Sequence, residues 1–133
     1  TRSDLEILAD IHRLVQDTQA LSLSRGHFQY TVQNGVVIVK GHISSRIGYE
    51  LFVDNLMNID GVVAVDDREL YDDETLRLNI GRILPKGLRV RIHHGVVALS
   101  GRMAADSPEV QEAIARIGEM PGVVNIDLSG LHA

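Results

Sequence analysis

Cysteine is absent from this chain, so no disulfide staples the fold, and thiol chemistry and thiolate metal sites are excluded. Tryptophan is missing too, and aromatics make up only 4% of the residues, which leaves Val, Ile and Leu to build the core. No apolar run approaches the roughly eighteen residues that a bilayer-spanning helix needs. Basic residues are not in excess. A net charge of −5 argues against a general nucleic-acid binder, whose footprint is basic. Neither a nucleophile elbow nor a glycine-rich phosphate cradle is present. What remains, 44% hydrophobic and 23% charged over 133 residues, is globular in composition and long enough for one domain or two small ones. The sequence begins at Thr1 rather than Met, which points to an excised or processed form whose signal peptide would be out of view.

The stretch that organises the chain is Asn34 to Gly41, NGVVIVKG, because it returns as HGVVALSG, His94 to Gly101. In each copy a turn-prone residue precedes glycine, and that pair supplies the positive φ angles of a two-residue hairpin turn. Alternating apolar residues precede each turn: Phe28, Tyr30 and Val32, then Leu88, Val90 and Ile92. With Asn34-Gly35 as the turn, Val32 faces Val37, Tyr30 faces Val39 and Gln33 faces Val36.

Around the hairpins the pattern is helical. Ser3-Asp4-Leu5-Glu6 is a capping box, followed by Ile7, Leu8, Ile11, Leu14 and Val15 on one face. Residues 16–26 lose that period and read as a loop. Ser44 or Ser45 caps a second helix with Tyr49, Phe52, Val53, Leu56 and Ile59 inward. A third strand is expected over Val62 to Asp66, and Asp66 to Asp73 reads as a short acidic joint. The plan then repeats. Asp72 or Asp73 caps a helix bearing Leu76, Ile80, Ile83 and Leu84, ended by Pro85 and Gly87. After the second hairpin, Ser107-Pro108-Glu109 starts a helix with Val110, Ala113, Ile114, Ile117 and Met120 buried. Val123 to Leu128 reads as the last strand. Gly35 and Gly95 stand 60 residues apart and Gly61 and Gly122 stand 61 apart, so the chain is a duplication.

The expected fold is α+β, two tandem α-β-β-α-β sandwiches over residues 1–70 and 71–133. Each is a three-stranded mixed sheet with two helices on one face. The sequence leaves open which edge of each hairpin the third strand joins.

The pattern Gly35, Val36, Val37, Val39, Gly41, then Gly61, Val62, Val65, repeated as Gly95, Val96, Val97, Leu99, Gly101, then Gly122, Val123, Ile126, resembles the BON family. These are bacterial domains named for osmotically induced and nodulation proteins. The resemblance covers nearly the whole chain as two tandem copies. It implies a non-enzymatic attachment module of the cell envelope, connected with osmotic stress, phospholipid binding or the assembly of pores and channels.

Six histidines raise the question of a metal, but His12, His27, His42 and His132 have no ligand spacing with acids. His93 and His94, if both lie on a strand, point to opposite faces. Ser44, Ser45 and Ser107 are explained as caps, so neither a catalytic residue, a metal nor a cofactor is expected. The sheet faces turned from the helices carry more information. In the second half that face presents Arg89, Arg91 and His93, with Lys86 and Arg102 near its ends, a row suited to anionic head groups or an acidic protein. In the first half it presents Val36 and Ile38, with Val62 and Ala64 beside them, which suits packing against another surface. Two functions follow. One is phospholipid head-group binding at the envelope, in the periplasm or on a membrane, with the cytoplasm as the remaining location. The other is oligomerisation within a larger channel, pore or stress protein. No nucleic-acid partner is expected.

Overall fold

The capping box at the start forms as the sequence demands: Ser3 Oγ accepts from Glu6 N at 3.2 Å, and Glu6 Oε1 accepts from Ser3 N at 3.2 Å. It opens helix α1 (Asp4–Asp17), which buries Ile7, Ile11 and Val15. The computed structural model describes residues 2–133. The chain divides into two units, Thr1–Asp72 and Asp73–Ala133.

In the first unit a 3-10 helix (Gln19–Ser24) follows α1, then β1 (Phe28–Gln33), β2 (Val36–Ile43), α2 (Arg46–Met57) and β3 (Ala64–Asp72). The second unit runs α3 (Asp73–Gly81), β4 (Arg89–His93), β5 (Val96–Arg102), α4 (Pro108–Gly118) and β6 (Asn125–His132). The architecture is therefore α+β with two three-stranded mixed sheets. In each, the third strand lies parallel beside the second, giving the orders β1-β2-β3 and β4-β5-β6. That settles the position the sequence left open. The hairpin registers are those the turns dictate, with Val32 opposite Val37, Tyr30 opposite Val39 and Gln33 opposite Val36. Asn34 and Gly35 adopt φ of 51° and 80°, and His94 and Gly95 adopt 48° and 83°.

Helices cover one face of each sheet. Val37, Val39, Ile43 and Leu70 pack there with Ile7, Ile11, Phe52 and Leu56 in the first unit. Val97 and Leu99 pack with Ile80 and Ile117 in the second.

Several expectations need correction. Residues 16–26 are not a loop: α1 continues to Asp17, where Thr18 Oγ1 donates to Leu14 O at 2.6 Å, and the 3-10 helix then buries Leu21 completely. Ser24 is buried as well, and its Oγ accepts from Ser44 N at 2.9 Å. The acidic stretch after Asp66 is no joint either. It continues β3 to Asp72, because β2 offers it a pairing partner as far as Ile43. A bulge between Ile38 and Lys40 in the register resets the alternation, so that Leu70 is buried and Asp72 reaches Arg46 Nη1 at 3.2 Å. The last strand likewise runs later than expected, to His132. Finally, the reading of His93 and His94 as two strand residues gives way to the turn that the hairpin pattern assigns to His94. It sits in the turn, buried, with its ring edge-on to that of His93 at 4.5 Å between centroids, so the two rings do not point to opposite faces. Ser45, not Ser44, caps α2, accepting from Gly48 N at 3.0 Å. Ser107 occupies the cap position of α4, but its side chain makes no capping bond there.

Candidate anion-binding face

Strand register arranges the helix-free face of each sheet in rows across three strands. In the second unit the rows are His93–Val96–Asn125, Arg91–Ala98–Asp127 and Arg89–Ser100–Gly130, with Arg102 beside His132 at the end. Three of the expected cations thus share one edge strand: Arg89, Arg91 and His93 are all exposed on β4, while the alternate residues Val90 and Ile92 turn inward. Arg102 closes β5, and Lys86 lies in the exposed turn that leads into β4. None of the ion pairs among the described residues engages Arg89, Arg91 or Arg102. The floor between them is low, because Ala98, Ser100 and Gly130 carry small side chains or none. A Cβ on Gly130 would stand 2.8 Å from Leu99 O.

The first unit has the same rows with other residues: Gln33–Val36–Ala64, Thr31–Ile38–Asp66 and Gln29–Lys40–Glu69, then His42 beside Tyr71. Its edge strand is neutral where that of the second unit is basic. Lys40 is paired with Glu69 at 3.3 Å. Asp66 is gripped by Arg68 through Nε at 2.9 Å and Nη2 at 2.8 Å, which holds its carboxyl down to about 2. In the second unit Asp127 takes the place of Asp66. Its Oδ1 accepts from Ser129 N at 2.9 Å, and that bond, then the Ser129 side chain, lowers its proton affinity.

Of the four apolar residues expected on the first open face, Val36, Ile38 and Ala64 lie there, half-buried or exposed. Val62 does not. β3 begins only at Ala64, and Val62 packs against the core while its neighbour Val63 is exposed. The hairpin carbonyl of Gly35 accepts from Val63 N at 2.8 Å and fixes which of the two valines faces in. Ala64 is separated from Asp66 by one residue, so the face is polar within one row of its apolar centre.

Sequence reasoning missed a pair of carboxylates. Asp4 accepts from Asn34 N at 2.9 Å and Gly35 N at 3.0 Å; Asp73 accepts from His94 N at 2.7 Å and Gly95 N at 3.1 Å. Each first helix thus clamps the hairpin turn of its own unit. The signal was present in the spacing, since Asp4 and Asp73 are 69 residues apart, as are Ile11 and Ile80. Among the described residues no group of three His, Cys, Asp or Glu is placed to hold a metal ion, and no helix is long and apolar enough to cross a membrane.

The family model of the BON domain matches residues 3–69. The chain belongs to the BON family. The match spans α1 to the later part of β3, and so takes in the Asp4 clamp and the first hairpin. Among solved structures, the BON chain is similar to the C-terminal domain of CdsD, the structural protein of the type III secretion system of Chlamydia trachomatis. The TM-score is 0.77 at 10% identity, over 99% of this chain and 68% of that one. A second structure from studies of the same Chlamydia trachomatis protein gives a TM-score of 0.49 at 12% identity, covering 96% and 92% of the two chains. At 10% identity the first likeness is one of fold. No curated protein matches the sequence.

Proposed function

We propose that this BON chain is a non-catalytic module of the bacterial envelope, at a membrane surface or in the periplasm. The open face of its second sheet, Arg89, Arg91 and His93 with Lys86 and Arg102 at the ends, holds phosphate-bearing lipid head groups. The second unit is read as a second copy of the family domain. What supports this is shared geometry: the Asp clamp on the turn, the bulge one residue past Ile38 and Ala98, and the bond donated by Val63 N to Gly35 O or by Val124 N to Gly95 O. The observation that carries the head-group reading is the contrast within that frame. Two units of one plan differ at the same edge-strand positions, Gln29, Thr31 and Gln33 in one and Arg89, Arg91 and His93 in the other. A guanidinium offers paired donors that match phosphate.

Sedimentation with anionic and neutral vesicles at two salt concentrations tests this. Each cation near an anionic surface contributes about 1 kcal/mol, so losing both in Arg89→Glu with Arg91→Glu is expected to weaken binding at least about 30-fold. Both side chains are exposed, and stability should change by no more than about 0.5 kcal/mol. Unchanged vesicle binding in the folded variant would remove this face from consideration.

A second reading rests on Val36 and Ile38, which occupy the central strand of the first open face. An apolar pair there suits assembly with another chain, and the fold shared with a structural protein of a secretion system agrees with such a role. Ile38→Lys would bury an unpaired charge in that interface. Light scattering should then show a lower mass than for the wild type at equal concentration. Equal mass and equal melting temperature would mean that no partner covers the pair.

A further inference from the structure

The acid opposite the arginines narrows the ligand. Arg91 and Asp127 flank Ala98 in one row, two strand spacings or roughly 10 Å apart between backbones. The row below sets Arg89 beside Ser100 and Gly130. The face therefore offers positive charge on one edge strand and negative charge on the other, across a floor of small residues. The first unit shows what the same frame does when no such separation is kept. Its equivalent acid, Asp66, is neutralised by the bidentate grip of Arg68, its floor is raised by Ile38, and Thr31 stands where Arg91 does. In the second unit Ser129 replaces Arg68, so the carboxylate of Asp127 gains a backbone donor and no countercharge.

We propose that this face recognises a phosphate ester bearing a primary ammonium, the phosphoethanolamine group, with the phosphate on Arg89 and Arg91 and the ammonium on Asp127 across Ala98. The assignment rests on the reading of this face as a phosphate site. An ammonium with N–H donors can hydrogen-bond a carboxylate, whereas the trimethylated ammonium of choline cannot.

The test compares the whole chain with Asp127→Asn on three vesicle types: phosphatidylcholine alone, and phosphatidylcholine with about equal parts of phosphatidylethanolamine or of phosphatidylglycerol. The wild type should bind the ethanolamine vesicles more tightly than choline alone. Asp127→Asn should weaken ethanolamine binding about two- to fivefold, the scale of one exposed ion pair. The same variant should strengthen glycerol binding, because a negative charge leaves the neighbourhood of the arginines. Opposite signs on the two lipids are what a merely balancing acid cannot produce. Stronger or unchanged binding to ethanolamine vesicles in the variant overturns the assignment, as does a wild type that ignores ethanolamine both in vesicles and as the soluble ester. If glycerol vesicles are still bound, and lost on reversing both arginines, the phosphate reading survives that result. No binding to any vesicle, together with no response to the soluble ester described next, ends both. Soluble glycerophosphoethanolamine, followed by backbone amide shifts at Arg91 and Asp127, separates the sources. Shifts without vesicle binding uphold the chemistry and assign it to a soluble or glycan-borne group.

Discussion

Replacing Asp73 by Ala is expected to destabilise the second unit by about 2–4 kcal/mol, a large effect for a residue that touches no ligand. Asp73 is only 6% exposed, and its two oxygens accept from the amides of His94 and Gly95, both buried. Truncation leaves two buried N–H groups without acceptors, each costing about 1–3 kcal/mol. It also frees a turn in which His94 holds φ of 48°, a conformation that a non-glycine residue keeps only when its surroundings enforce it. Asn at the same position retains one acceptor and turns an NH2 toward the other donor, so it should fall about midway. Asp4→Ala in the first unit should cost less, because Asn34 is exposed and water can meet its amide, leaving only the buried Gly35 amide without an acceptor. Thermal unfolding together with amide exchange in β4 and β5 measures the series. An Ala variant within about 0.5 kcal/mol of the wild type would show that the turn stands without its clamp.

The second large effect is expected of Gly35→Val, about 2–4 kcal/mol against the first unit. Gly35 has φ of 80°, where a β-branched residue is strained by its own backbone. Space is also lacking: a Cβ there would stand 2.9 Å from Val63 Cγ2 and 3.0 Å from Gly61 O. The first of these is the end of an exposed side chain and can yield, but the second is backbone and cannot. Gly35→Ala keeps the φ strain and the carbonyl contact without the branching, and should cost less than Val. Equal melting of wild type and Val variant would mean that the turn is not the one described.

How far the sequence reached follows from where the determinants lie. Hairpin registers were legible to the residue, because a two-residue turn at Asn34-Gly35 or His94-Gly95 leaves only one way to count back along both strands. The helix starts at Ser3 and Pro108 were legible because caps are local. The length of β3 was not. Asp66, Asp67, Arg68 and Glu69 have little strand propensity of their own, and what makes them a strand is a parallel partner more than twenty residues earlier in the chain. One more step of the same kind hid the roles of the acids. Tyr49 Oη donates to Asp67 Oδ2 at 2.5 Å, and burial, then that bond, raises the phenol well above its ordinary range. Nothing next to Asp67 in sequence announces a tyrosine eighteen residues away. The basic row was legible because strand alternation alone places Arg89, Arg91 and His93 on one side. The place of Asp127 opposite that row was not legible, since it depends on where β6 docks.

The adjacency of Asp72 and Asp73 has a consequence for how such a chain can be cut, shuffled or inherited in pieces. Asp72, 3% exposed, is bound by Arg46 and completes the first unit, while Asp73 clamps the hairpin of the second. No residue intervenes between them in the chain. A recombination point placed one residue early takes from the first unit the partner of Arg46, and one placed a residue late takes from the second the lock on its turn. The seam between the two modules is therefore a single peptide bond. A donor segment joined there must bring its own acid at the first or last position to remain whole.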